Sequence, residues 1–216
     1  MKRLLPLLVI LILALTAGAL AASRDESLEI ARKQVPEAAQ LTESDGDDGI
    51  FEFEFRDDSA RYDVAVRALD GAVLEVETGF TGIPRAADFL LTADEAAGKA
   101  GISNADLILP EHDDAGAVYE IFVSKDGVRQ TITLNAETAQ VLRTETYPAA
   151  SDALTADAIA RIVSEKQPGA ELTELELEPT DGGRYSYDGE ARADGREFSF
   201  EINAANGKFI EWEIDD

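Results

Sequence analysis

The chain has 216 residues, with 44 Asp and Glu against 19 Lys and Arg, a formal charge of −25 and no cysteine. That charge makes nucleic acid and anionic lipid poor partners. The missing cysteines exclude a disulfide framework, a thiolate nucleophile, a cysteine-ligated metal and a lipidated N-terminal cysteine. Three readings of the acidity stay open: a solubilising surface, adaptation to a salty medium, or attraction to cations and basic partners.

Lys2 and Arg3 precede an uncharged run over residues 4–22, and Ser23-Arg24-Asp25-Glu26 turns polar. That order is the layout of a secretory signal peptide, with Ala19-Leu20-Ala21 as the A-x-A cleavage site. Residues 1–21 are therefore expected to be removed. The alternative is an uncleaved anchor, because the run reaches the length of a membrane-spanning helix. Pro6, Thr16 and Gly18 weaken that span. Either way the rest of the chain is expected in a secreted, periplasmic or cell-envelope setting, touching the membrane only if the segment stays attached.

A first helix is expected from the cap Ser23 to Pro36, with Glu26 completing a capping box and Leu28, Ile30, Ala31 and Val35 on one stripe. Asp45-Gly46-Asp47-Asp48-Gly49 reads as a loop with three carboxylates. It is a calcium candidate that lacks EF-hand spacing and the distal Glu. Period-two runs follow at 51–55, 62–66 and 73–76, separated by turns at Asp57-Asp58 and Asp70-Gly71. Phe51, Phe53 and Phe55 are expected in a core, with Glu52, Glu54, Glu75 and Glu77 on a wet face.

After a linker at 78–88, Thr92-Ala93-Asp94-Glu95 opens a second helix, which Gly98 and Gly101 weaken and shorten. His112, in Pro110-Glu111-His112-Asp113-Asp114, reads as a solvated loop residue, and no nucleophile motif accompanies it. Runs at 119–123, 131–134 and 141–142 complete this segment. Beyond a linker at 147–154, Thr155-Ala156-Asp157-Ala158 opens a third helix that ends at Pro168. Runs at 185–187, 198–202 and 209–214 then place Phe198, Phe200 and Trp212 on a buried face. The last turns begin at positions 70, 135 and 203, so one helix-plus-sheet layout recurs three times.

This layout resembles the PepSY domain, a small α+β module. The likeness is carried by Leu91-Thr92-Ala93-Asp94-Glu95-Ala96 and Leu154-Thr155-Ala156-Asp157-Ala158-Ile159-Ala160, by Tyr119-Glu120-Ile121-Phe122-Val123, and by the endings at 132–142 and 200–210. Asn203-Ala204-Ala205-Asn206-Gly207 follows the family's turn, whereas Ala139 stands where Gly is usual and Asp70-Gly71 is shortened. The expected fold class is α+β, with three tandem PepSY-like units at 22–80, 88–147 and 151–216 after the signal peptide at 1–21. The resemblance implies a non-catalytic protein that binds and regulates an extracytoplasmic partner, a peptidase or an envelope sensor, and inhibition of a secreted peptidase is one form of that role. The alternatives are an acidic structural or calcium-binding envelope protein and an acid-dependent hydrolase. No residue is assigned a catalytic, cofactor-binding or metal-binding role, and no cofactor is expected. N-terminal sequencing of the exported protein is expected to start at Ala22, and Met1 retained in a membrane fraction would reverse that expectation.

Overall fold

A computed structural model describes residues 21–180 and 184–215. The expected signal peptide lies outside the described residues except for Ala21. Three helices start where a side chain can cap them: α1 (Arg24–Arg32) behind Ser23, α2 (Ala93–Ala100) behind Thr92 and α3 (Ala156–Lys166) behind Thr155. Ser23 and Thr92 each form a full capping box with the Glu three residues on, satisfying N–H groups that the first turn leaves open. Gly101, at φ 80°, ends α2 in the left-handed conformation that glycine adopts without steric cost.

Each helix precedes an antiparallel meander of four strands. They are β1 (Gln40–Asp47), β2 (Ile50–Arg56), β3 (Ala60–Arg67) and β4 (Val73–Phe80), then β5 (Ala105–Asp113), β6 (Gly116–Lys125), β7 (Val128–Asn135) and β8 (Val141–Tyr147). The third set is β9 (Glu171–Thr180), β10 (Arg184–Ala193), β11 (Arg196–Asn203) and β12 (Phe209–Asp215). The expected runs account for three strands of each set, and the first strand of each was missed. β1 is polar and almost wholly exposed, so it carries no alternation to read. β5 contains Pro110, which demotes a run in sequence but is tolerated because β5 lies at a sheet edge. The Leu and Glu of β9 are weak strand formers that edge pairing overrides. Consequently Asp45 and Asp47 lie on a strand, as does His112, rather than in loops.

The first two meanders join through β4 and β8 into one eight-stranded sheet, ordered β1-β2-β3-β4-β8-β7-β6-β5. Residues paired directly across an antiparallel ladder point to the same side, so both helices cover one face. There Ala31 and Val35 of the α1 segment meet Phe53, Phe55, Val64 and Val76, while Ala96 and Ala97 of α2 meet Tyr119, Ile121 and Leu134. The third meander forms its own sheet, ordered β12-β11-β10-β9, with Ile159 and Val163 of α3 packed among Leu175, Leu177, Tyr187 and Ile202. That core also takes in Ala65, Leu109, Phe122 and Tyr147 from the other face of the long sheet. Tyr185 Oη donates to the carbonyl of Leu74 at 2.7 Å across this junction. Phe200 is buried as expected. Trp212 is half-buried, stacked on Phe200 and edge-on to Phe209, so its burial is less complete than its spacing suggested.

The turn before the last strand shows how helix and sheet are matched. Gly71, Ala139 and Gly207 occupy the same place at φ of 70°, 60° and 69°. A Cβ on Gly71 would lie 2.7 Å from Ile30 Cδ1, and one on Gly207 would lie 2.5 Å from Ile162 Cδ1. Ile30 and Ile162 each stand seven residues past the helix cap, where α2 has the exposed Lys99. With no isoleucine above it, the methyl of Ala139 fits where glycine is otherwise needed. Gly207→Ala is expected to cost at least about 2 kcal/mol, from left-handed strain and the clash together. In the Ile162→Ala background chemical denaturation should show a smaller loss, a coupling that independent sites would lack.

Candidate functional site

The face of the long sheet turned away from α1 and α2 carries rows of ionisable side chains set by strand register. One row runs Glu120 on β6, Thr133 on β7, Arg143 on β8, Gly79 on β4 and Arg61 on β3. The next runs Phe122, Thr131, Glu145, Glu77, Asp63 and Glu54. Glu77 and Glu145 are thus paired directly across β4 and β8, an arrangement that like charges oppose. Two arginines offset it. Arg61 lies 2.7 Å from Asp63 and 3.3 Å from Glu77. Arg143 lies 3.2 Å from both Glu120 and Glu145.

Carboxylates outnumber these cations. Glu75, on the same face of β4, has Glu145, Glu77, Glu178 and Glu52 as its charged neighbours, and no arginine is among them. One carboxylate oxygen from each of Glu75, Glu77 and Glu145 lies within 4.8 Å of the others. Burial, and then the repulsion of Glu145 and Glu77, pushes Glu75 up to about 8. Burial and the nearby Glu111 raise Glu120 to about 8, against the pull of Arg143. Burial lifts Glu145 to about 7, with Arg143 opposing. Burial and like charge thus favour the protonated form of all three carboxyls.

The expected wet face of Glu54, Glu75 and Glu77 is therefore corrected, since all three are half-buried. Glu52 is exposed as expected. No local signal marks Glu120 and Glu145, because their sequence neighbourhood is that of an ordinary half-exposed strand; β7 sets Glu120 beside Arg143, and only the β4–β8 junction sets Glu145 against Glu77. The acids at 45–48 are not assembled: Asp45 and Asp47 each accept from the N–H of the next residue, and all are exposed. His112 is exposed, edge-on to the Phe89 ring at 4.9 Å.

A second surface lies at the free edge of β12. Ile210 and Ile214 are 58 % and 50 % exposed there, interleaved with the exposed Glu211 and Glu213. Trp212 rests between Phe198 and Phe209 at 5.4 and 5.2 Å, and the Lys166 ammonium stands 5.2 Å from its ring. An unpaired strand edge of this kind presents open N–H and C=O groups.

The raised carboxylates predict the direction of pH dependence. Between their ordinary value of 4.5 and about 8 the folded protein retains protons that the unfolded chain has released. Stability contributed by these groups is complete below 4.5 and is lost as pH rises through their folded values. Carboxylates held below their ordinary values, such as Asp57 and Asp70, act in the opposite sense at lower pH. Thermal melts are expected to show a falling melting temperature from about pH 5 to about pH 8, and Glu75→Gln should flatten the slope.

The profile of "PepSY: Peptidase propeptide and YPEB domain" matches residues 92–145 and 153–213. The uncharacterized protein YkoJ of Bacillus subtilis is 33 % identical over 100 residues, an alignment covering 46 % of this chain and 58 % of YkoJ, so the chain spans less than two thirds of that relative. The YpeB C-terminal domain of Bacillus megaterium aligns over 91 % of this chain and 99 % of its own at 12 % identity, with a TM-score of 0.33. A cysteine-rich secretory protein of Staphylococcus aureus aligns over 63 % of this chain and 46 % of its own at 10 % identity, with a TM-score of 0.33. Because the two matched segments together take in more than half of the sequence, this chain belongs to the PepSY family.

Proposed function

We propose that the protein works outside the cytoplasm as a non-catalytic module that binds and regulates a protein partner, a peptidase in the first instance, by capturing an extended basic segment on the free edge of β12. The single observation behind this reading is that edge: open backbone groups, exposed Ile210 and Ile214, and Glu211 and Glu213 between them. An added strand gains main-chain hydrogen bonds, and alternate pockets read its side chains. Acidic residues steer a basic segment and make its capture sensitive to salt. The peptidase in this reading comes from the family's description, and the location from the leader-like pattern at 1–21.

Residues 22–80 are read as a third, divergent PepSY-like unit beside those at 88–147 and 151–216. Its helix cap at Ser23 and the pairing of Ile30 with Gly71 repeat what the third segment does with Thr155, Ile162 and Gly207.

The test pairs the purified protein with the producing cell's secreted peptidases and, separately, with generic hydrolase substrates. Binding at low salt, inhibition of the bound peptidase and no turnover are expected. Ile210→Arg with Ile214→Arg should weaken binding by about tenfold, the effect of losing about 1.4 kcal/mol. Turnover that survives purification and disappears in Glu75→Gln would replace this reading with a carboxylate-dependent hydrolase. Full affinity in the isoleucine variant would remove β12 from it.

A further inference from the structure

We infer that the free edge of β12 selects an extended segment by its pattern as well as its charge: Lys or Arg beside Glu211 and Glu213 on the outer face of the small sheet, and apolar residues beside Trp212 and Ile214 on the face turned to α3. This inference rests on strand capture at β12 and specifies the strand that is captured. Open backbone groups at the edge fix where the partner's side chains fall, since strand addition brings each one into line with a cross-strand row of the sheet.

Register defines the outer face. Leu175, Leu177, Phe200 and Ile202 are buried in the core that holds α3, so the residues alternating with them point the other way. One row there runs Glu176 on β9, Asp188 on β10, Glu201 on β11 and Glu211 on β12, and the next runs Glu174, Glu190, Ser199 and Glu213. Neither row contains a cation, whereas the row beyond them has Arg192 between Glu171 and Glu197 and ion-paired to Glu197. Like charges set directly opposite are destabilising. Burial, then Glu201 and Glu176, raise the Asp188 carboxyl. Both uncompensated rows end at the free edge in an exposed glutamate. A Lys or Arg at the next position of either row neutralises a repulsion that the sheet itself leaves standing.

The face toward α3 asks for the opposite chemistry. Trp212 is paired with Phe200 and Ile214 with Phe198, so both lie on that side. Trp212 stacks on Phe200 at 6.3 Å, while Ile214 is 50 % exposed with no strand beyond it. The Lys166 ammonium stands 5.2 Å from the Trp212 ring. A basic residue arriving on this side meets a like charge, whereas an apolar one extends the aromatic cluster and covers Ile214. Ile210 is the extra residue of the bulge between the pairs Glu201 with Glu211 and Ile202 with Phe209, so the regular ladder begins after it. Residues 211–214 therefore read basic and apolar side chains in alternation, each kind recurring at every second position.

The test uses capped peptides as long as β12, made of Lys and Val either in alternation or in two blocks of the same composition. Trp212, the single tryptophan of the chain, is the reporter. The alternating peptide should shift the Trp212 emission and bind at least about tenfold more tightly than the block peptide. Glu211→Lys with Glu213→Lys should turn the preference toward an alternating peptide of Glu and Val. That variant should melt no lower than the parent, since it sets a lysine beside Glu201 in place of a like charge, and this shows that it is folded. Equal affinity for the alternating and block peptides, with Trp212 responding to both, would overturn the pattern and leave capture at β12 standing. Calorimetric binding that leaves Trp212 silent and is unchanged in the charge-reversed variant would place capture elsewhere and overturn both readings. Failure of either peptide to bind would overturn both, and so would a dimer that shields Trp212 from every peptide, which would assign the edge to a second copy of the chain.

Discussion

Pairing of β4 with β8 is the contact on which the rest of the molecule depends. The register Val76 to Thr146, Glu77 to Glu145, Thr78 to Thr144 and Gly79 to Arg143 joins two meanders into one sheet. It also removes two strand edges that would otherwise be open to wrong partners. Because pairing preserves the face of each residue, two separate polar faces merge into one continuous acidic surface. Glu77 then lies opposite Glu145, and the arrangement holds because Arg61 and Arg143 flank the pair.

The third meander turns that surface into an interior. Ala65, Leu109, Phe122 and Tyr147 would be exposed apolar groups on the long sheet, and the third core covers them. Tyr185 and Leu74 fasten the junction by a hydrogen bond. In covering the apolar groups, the packing also removes water from Glu75, Glu120 and Glu145, whose charged forms lose solvation and whose proton affinities rise toward neutrality. Apolar burial therefore drives the assembly, and the electrostatic cost falls on a few carboxylates at its centre. This coupling makes the same residues sensitive to pH.

Differences among the three segments are as informative as their likeness. Tyr119 of β6 donates to the carbonyl of Leu91, and Tyr187 of β10 donates to that of Leu154, so the same bond ties a strand to the residue before the helix cap in both matched segments. The pairing of Ile30 with Gly71 and of Ile162 with Gly207 gives way to Lys99 with Ala139, a change of helix residue and turn residue together. A loop substitution that looks like a departure from the family pattern is thus an accommodation to a shorter helix with less above the turn.

The sequence by itself determined the helix starts at Ser23, Thr92 and Thr155, the buried alternation of strands such as β2 and β11, and the left-handed turns closing on Gly71 and Gly207. Each of these follows from interactions within a few residues: a cap bonding its own first turn, a pleat of period two, a φ that glycine alone adopts without cost. The strands β1, β5 and β9 escaped because edge strands draw their order from a neighbour and need little hydrophobic pattern of their own. Only the tertiary structure decided that β4 meets β8, that the third meander covers their polar face, and that Glu75, Glu77 and Glu145 converge instead of facing water. Nothing local distinguishes these acids from Glu52, which stays exposed, because burial at such positions is set by chain segments about seventy to a hundred residues away in sequence, which local periodicity does not encode.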